Sequence, residues 1–593
     1  MVSSVSLPST DKILEALESA KKPTAHSYAN AFKQRRHPEQ EDGWGVLEQI
    51  FNFHFRPANP SEPFGPMAVF GDKRTWIPDD LSENLLSAIR ATLQHIDPPE
   101  YRARILDILW LRQGDAKSAR EAVNAYLKSG KLLEDPKHWV DSMERYERAL
   151  RLARQIEPKG ELPKEVLRHL EARVLHYNGS DPLYFTLNAL ELLEELRFGD
   201  FAALAQIAIR ISDGAREAKD FERARKHLDI ASKLFRRVGD VAATEEAKSA
   251  IVDCFVQEAE EREAGGSFMA AHSFWQSAIK AARESPAKRD RIPEFQARLS
   301  NAGKKMRDEM QSFSHEEDIG DQIRVSRDAM ADLPWDDAFY KFASIAPLID
   351  VTNLKKITEE QITKHPLQAM MAAEIFDAAG RKVGTRPSVA TDDPKEYAAA
   401  ISGMMEQNAN IHRSFIVQAV LAPALRQMTA EHSIDEEAVG SILNDSGIVP
   451  DSRSPLVVRG VLAGFEWDFS TALHILVPQT ENALRYALEQ RGVEPVNIDA
   501  SGVEEVWGYE RLLNHDATRE FLGEDFTYEL RSMLVERLGP NMRNLLAHGL
   551  LSPESLQSQD AVYLWWLLLR LFAYPTSGMA AYVERRRSET PST

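Results

Sequence analysis

Two copies of one pattern, 47 residues apart, restrict this chain more than any other feature. Phe221-x-x-Ala224 followed by Ala231 recurs as Phe268-x-x-Ala271 followed by Ala278, each before an apolar stripe at helical spacing. A related frame, Met143-x-x-Tyr146-x-x-Ala149, lies upstream. Small residues at fixed helical positions let two helices approach closely, so the pattern predicts antiparallel helix pairs stacked into an array. The period is longer than that of tetratricopeptide repeats and nearer the HEAT and armadillo range. Such an array either presents a concave surface to a protein partner or acts as a structural spacer, and both readings stand at this level.

The rest of the chain also reads as helix. SENLLSAIRATLQHI, RARILDILWLR and SAREAVNAYL are successive amphipathic segments, with Gly114-Asp115 as the turn between the last two. One helix is expected around Lys12 to Lys21, and the prolines of RPANPSEPFGP (56–66) should break regular structure. LQAMMAAEIFDAAG (367–380) reads as an apolar helix, and RKVGTRPSVATDDP (381–394) has the strongest linker composition in the chain. A polar helix, the turn HEEDIGD and a further helix form the expected hinge between 292 and 331. Asp336 and Asp337 read as caps of a helix, because no further carboxylate or His stands at ligand-like spacing. The expected organisation is all-α: an N-terminal helical domain (1–130), a helical-repeat-like region (131–315), a central helical domain (316–450) and a C-terminal helical bundle (451–593).

Composition narrows the function classes. With 72 Lys and Arg against 91 Asp and Glu the net charge is -19, which argues against general coating of nucleic acid; any RNA contact must be local. Candidate contacts are Arg485, Arg491, Arg531, Arg537 and Arg543, whereas Arg585, Arg586 and Arg587 read first as a solvated tail. The single Cys254 excludes an intrachain disulfide and a Cys-based zinc site. The first residues lack a secretory signal, and AVYLWWLLLRLFAY is too short to span a bilayer and carries Arg570. A cytoplasmic protein without a membrane segment is therefore expected. No phosphate-binding loop, dinucleotide fingerprint, H-E-x-x-H or G-x-S-x-G motif is present.

One stretch carries chemistry: LGPNMRNLLAHGLLSPE, residues 538–554. Pro540 suits a first helical turn and Gly549 a left-handed stop, so a short helix is expected from Asn541 to His548. Successive side chains turn by about 100°. Met542, Leu545 and Leu546 then share one face, and Arg543, Asn544, Ala547 and His548 the other. Asn544 and His548, four apart, can touch. Arg followed by His at similar spacing also occurs at Arg90/His95 and Arg426/His432, so spacing alone means little.

Arg543-Asn544-x-x-Ala547-His548-Gly549 resembles the signature of the HEPN superfamily, all-helical domains that are often metal-independent ribonucleases. ALHILVPQTENALRYAL (472–488) and AVYLWWLLLRLF (561–572) resemble the flanking helices of a bacterial family of large helical proteins with such a C-terminal domain, and YRARILDILWLRQGD (101–115) resembles that family's N-terminal region more faintly. The resemblance implies an endoribonuclease that needs no metal or other cofactor, of the kind found in defence or toxin effectors. It also implies a homodimer in which two motifs meet across a two-fold axis. In that scheme His548 exchanges protons, Arg543 clamps the phosphate, Asn544 orients the ring or binds phosphate, and Arg485 and Arg537 contact RNA. Glu481 either pairs with Arg485 on its own helix or orients His548 or Arg543. The alternative is a non-enzymatic helical adaptor whose motif knits a dimer interface.

Overall fold

The computed structural model describes residues 6–37, 42–70, 73–309, 317–377 and 380–589. It is predominantly helical, with four two-stranded antiparallel hairpins among the described residues. The chain divides into two compact units, Met1–Glu309 and Met310–Thr593.

In the first unit, helix Pro99–Gln113 is held to its neighbours by charge as well as by apolar packing. The fully buried Asp107 accepts from Arg148 at 2.6 Å and from the Tyr126 hydroxyl at 3.0 Å. Glu100, also buried, pairs with Arg145 at 2.8 Å and accepts from Ser129 at 2.7 Å. Arg104 donates to the Ile50 and Phe53 carbonyls and lies 4.8 Å from the centre of the Phe64 ring. A buried charge left without such partners would cost several kcal/mol, so these pairs specify which helices meet. Gly114, at φ +67°, ends the helix, and Asp115 caps helix Ala116–Leu132, as the Gly-Asp turn predicts. The region expected to break at its prolines still forms one short pairing, His54–Phe55 with Phe64–Gly65.

The repeat lies on helices Phe221–Val238 and Phe268–Glu284. Ala224, Ala231, Ala271 and Ala278 are fully buried where consecutive helices pack, so the small residues act as the pattern requires. The expected boundary at 130 falls inside this unit, because one apolar cluster runs from Tyr126 and Leu127 to Met143 and Tyr146. The boundary expected near 315 lies close to the division after Glu309.

The second unit is built around helix Gln559–Ala573, buried along nearly its whole length. Trp566 Nε1 donates to the Phe342 carbonyl at 2.9 Å and Arg570 Nη1 to the Ala346 carbonyl at 2.6 Å, which explains how a core helix accommodates an arginine. Gly464 lets the adjoining helix approach: a Cβ there would stand 2.0 Å from Trp565. No helix among the described residues is long and apolar enough to cross a membrane. The boundary expected at 450 falls inside the core that these helices share, which includes Ile442 and Ile448 on one side and Val457 and Val461 on the other.

Helix Pro394–Ile416 continues through a π turn, Val417–Leu421, into helix Ala422–Glu431. Pro423 has no N–H to offer the preceding turn, and the wider turn accommodates this; Ser326 Oγ donates to the Val420 carbonyl at 2.7 Å.

Four expectations need correction in this unit. The apolar stretch at 367–380 is not one helix: a short turn, Pro366–Ala369, leads into strand Ala373–Phe376. The adjacent stretch is not a free linker, because Lys382–Arg386 pairs with that strand, with Ile375 opposite Gly384. A short apolar run fits helix and strand alike, and the partner strand decides. Arg585–Arg587 are not a free tail: they sit on helix Ser577–Glu589, anchored by Arg585 to Asp337 at 2.6 Å. Nor do Asp336 and Asp337 cap a helix: they lie in the first turn of helix Trp335–Ser344, whose cap position is Pro334. Part of the expected HEEDIGD turn, His315 and Glu316, lies outside the described residues.

Candidate functional site

The motif segment is fixed from both ends. On entry, Gly539 passes so close to the preceding helix that a Cβ would meet the Ser532 carbonyl at 2.4 Å and Glu406 Oε2 at 3.0 Å. Leu538 fills the space above Gly384 and Gly403. Asn541 then takes a left-handed conformation, φ +51°, which Asn tolerates better than most residues. The helix that follows, Met542–Ala547, is shorter than expected; Pro540 precedes it and His548 is its C-cap. On exit, Gly549 at φ +62° closes a Schellman turn in which Leu550 N–H donates to the Leu545 carbonyl at 2.9 Å.

The expected division of faces is present in part, since Leu545 shares the intermediate burial of Arg543 and Asn544. Met542 is buried and Leu546 packs on the core, whereas Ala547 and His548 face solvent. Arg543 is about one-third exposed, its side chain accessible at 36%. Beneath it lies Tyr509, whose ring centre is 6.0 Å from the guanidinium carbon and whose hydroxyl donates to the Val477 carbonyl at 2.6 Å. Burial, and secondarily the Glu481 charge, pushes that hydroxyl's pKa up, so it stays a donor.

Glu481 is the hinge of the charge arrangement. One carboxylate oxygen accepts from Arg485 at 2.5 Å, and the other stands 3.6 Å from Arg543. Of the contacts open in the sequence, it makes the hydrogen-bonded ion pair with Arg485 and also lies within ion-pair distance of Arg543. Arg485 also donates to the Trp507 carbonyl at 2.9 Å and is not among the residues lining the adjacent cleft. Arg491, another candidate contact, stacks on Phe521 at 3.9 Å. Asn544 departs from expectation as well: its amide donates to Asn541 at 2.7 Å and its carbonyl accepts from Arg543 at 3.2 Å, so it braces the arginine and does not touch the imidazole. Among the described residues no side chain hydrogen-bonds the His548 ring.

A cleft of about 880 Å³ opens beside Arg543 and Asn544. Arg511, Arg531 and Arg537 line it with Arg543, against the carboxylates of Glu510 and Glu536. Glu536 is occupied by Arg531 at 2.6 Å, while Arg537 is exposed and forms no ion pair among the described residues. Arg511 lies 4.2 Å over the Trp507 ring and donates to Asn497. The local lining therefore carries more guanidinium groups than carboxylates within an acidic protein. Arg511 went unread in the sequence; its neighbourhood of Trp507, Tyr509 and Arg511 was the available signal. No group of three or more potential metal-binding side chains occurs among the described residues.

Residues 10–165 match a family model described as a domain of unknown function (DUF7380). That match ends far upstream of the motif and includes the buried ion pairs of helix Pro99–Gln113. No curated protein matches the chain.

Proposed function

We propose that the C-terminal unit is an endoribonuclease of the HEPN type, cleaving single-stranded RNA at a composite site made by two copies of the chain. The observation that carries this reading is an Arg543 held beside Glu481 and Asn544 at the edge of a cationic cleft, five residues before a solvent-facing His548 whose ring has no side-chain hydrogen-bond partner among the described residues. The ribose 2′-oxygen attacks phosphorus and gives its proton to one imidazole. The P–O5′ bond breaks, and the leaving oxygen takes a proton from the imidazolium of the second copy. Arg543 presents two donors to the phosphorane oxygens as their charge grows. Products are a 2′,3′-cyclic phosphate and a 5′-hydroxyl. The N-terminal helical array, in this reading, holds or senses a protein partner, as in a defence or toxin effector.

The second reading is a non-enzymatic adaptor in which the same helix end is a dimer interface. The exposure of Ala547 and Leu550 beside His548 favours an interface of either kind. Purified protein incubated with single-stranded RNA in EDTA separates them. Cleavage leaving cyclic phosphate ends, reduced about 10²- to 10⁴-fold in His548→Ala and in Arg543→Ala, supports the nuclease. A dimeric wild type that cleaves nothing, with a weaker dimer in His548→Ala, supports the adaptor.

A further inference from the structure

In the first unit, helices Ala25–Lys33, Gly43–Phe51, Pro99–Gln113 and Trp139–Ile156 and strand His54–Phe55 contribute to a cavity of about 200 Å³. Charge is divided unevenly across it. One wall holds Arg104, 3% exposed, whose Nε and Nη2 donate to the Ile50 and Phe53 carbonyls. Among the described residues no carboxylate stands within ion-pair distance of it, and its Nη1, which keeps accessible surface, donates to nothing. The neighbouring buried guanidinium groups, Arg145 and Arg148, are matched by Glu100 and Asp107. Another wall carries the opposite surplus. Arg145, already held by Glu100 at 2.8 Å, is also the ion-pair partner of Glu144 at 3.0 Å and of Asp141 at 3.5 Å, and both of these acids line the cavity. Burial pushes the Arg104 pKa down to about 10 and raises that of Glu144.

A buried cation with no counter-charge is unfavourable, and so is a partly buried acid that shares its one cation with two others. A lone anion entering the cavity would satisfy Arg104 and be repelled by Glu144 and Asp141; a lone cation would do the reverse. A small molecule that carries both charges answers both walls. The cavity is smaller than the about 300–1,000 Å³ usual for drug-sized ligands, and Phe51, Phe53, Phe55 and Met67 supply apolar lining. We propose that it binds a free α-amino acid with an apolar side chain, its carboxylate at Nη1 of Arg104 and its ammonium at Glu144 beside Asp141.

The test is calorimetric titration of the full-length protein with valine, leucine and methionine, and then with the des-amino and the decarboxylated analogue of whichever binds tightest. At least one amino acid binds, and loss of either charge weakens binding by about tenfold or more. These comparisons use the wild type, so they do not depend on how a variant folds. Glu144→Gln, at a side chain 35% accessible, weakens the amino acid and not its des-amino analogue, a split that a general folding defect would not produce. The proposal is overturned if none of the three amino acids binds, if either analogue binds as tightly as its parent, or if Glu144→Gln leaves amino-acid binding unchanged or weakens the des-amino analogue equally.

Discussion

Glu481 shows how one carboxylate can set the state of two guanidinium groups. It is largely enclosed, and it stands 2.5 Å from Arg485 and 3.6 Å from Arg543. Replacing it by Gln keeps the shape and removes the charge both arginines share. Urea denaturation is expected to show a loss of about 1–2 kcal/mol for Glu481→Gln, discounted for partial exposure. If stability is unchanged, Glu481 is not holding these groups. Glu406 is a different case, buried against Ser532, Arg413 and the backbone of Gly539. Burial raises its pKa above the ordinary 4.5, although the Ser532 hydrogen bond and Arg413 act against that. A carboxyl with a raised folded-state pKa contributes stability that is full below the unfolded value and is lost as pH rises through the folded value. Wild type should therefore lose stability relative to Glu406→Gln as pH rises from 4.5 upward, measured as the difference between the two denaturation free energies at each pH. A constant difference across that range would refute the assignment. The motif spacing at Arg90/His95 and Arg426/His432 is explained at the same scale: Arg90 binds Asp115 and Gln113, and Arg426 lies over Trp467.

Between residues and fold stand the turns of the helical array, which follow one design. Lys219, Gly239 and Gly266 each occupy a left-handed position after a helix. The next N–H then closes on a carbonyl five residues back, Asp220 to Ala215 at 2.8 Å, Asp240 to Phe235 at 3.0 Å and Ser267 to Arg262 at 2.9 Å. Asp220 and Asp240 go on to cap the following helices. Lys219 does the work of glycine at φ +59°, a conformation that costs an L-residue about 1–2 kcal/mol. Its ion pair to Glu261 is exposed and worth little. Lys219→Gly should therefore stabilise the protein by about 0.5–1 kcal/mol, against the usual effect of adding glycine to a helical protein. A lower melting temperature for this variant would show that the turn is not under strain. The hairpins were harder to read than these turns. Ala373–Phe376 and Lys382–Arg386 look like helix and linker when each is taken alone, because each strand's hydrogen bonds belong to the other.

At the scale of the molecule, each unit carries its own apolar cores: those containing Phe51, Tyr146 and Trp275 lie within the first, and the one around Trp565 within the second. Separately produced chains ending at and beginning after Glu309 should each unfold cooperatively, followed by circular dichroism on heating. A molten product from either half would mean that its core depends on the other.

Periodicity and punctuation determined what needs only neighbours along the chain: helical class, the close-packing alanines at 224, 231, 271 and 278, the core helix around Trp565, and the Gly549 stop after His548. These follow from the 3.6-residue repeat and from backbone conformations local to a few residues. What lies around that motif was decided only by folding. Glu481 reaches Arg543 from another helix, Asn544 turns to Asn541, and Arg511 reaches the cleft beside Arg531 and Arg537. Contacts between residues distant in sequence depend on which faces pack, and burial then sets the cost of each charge, so no spacing along the chain encodes them.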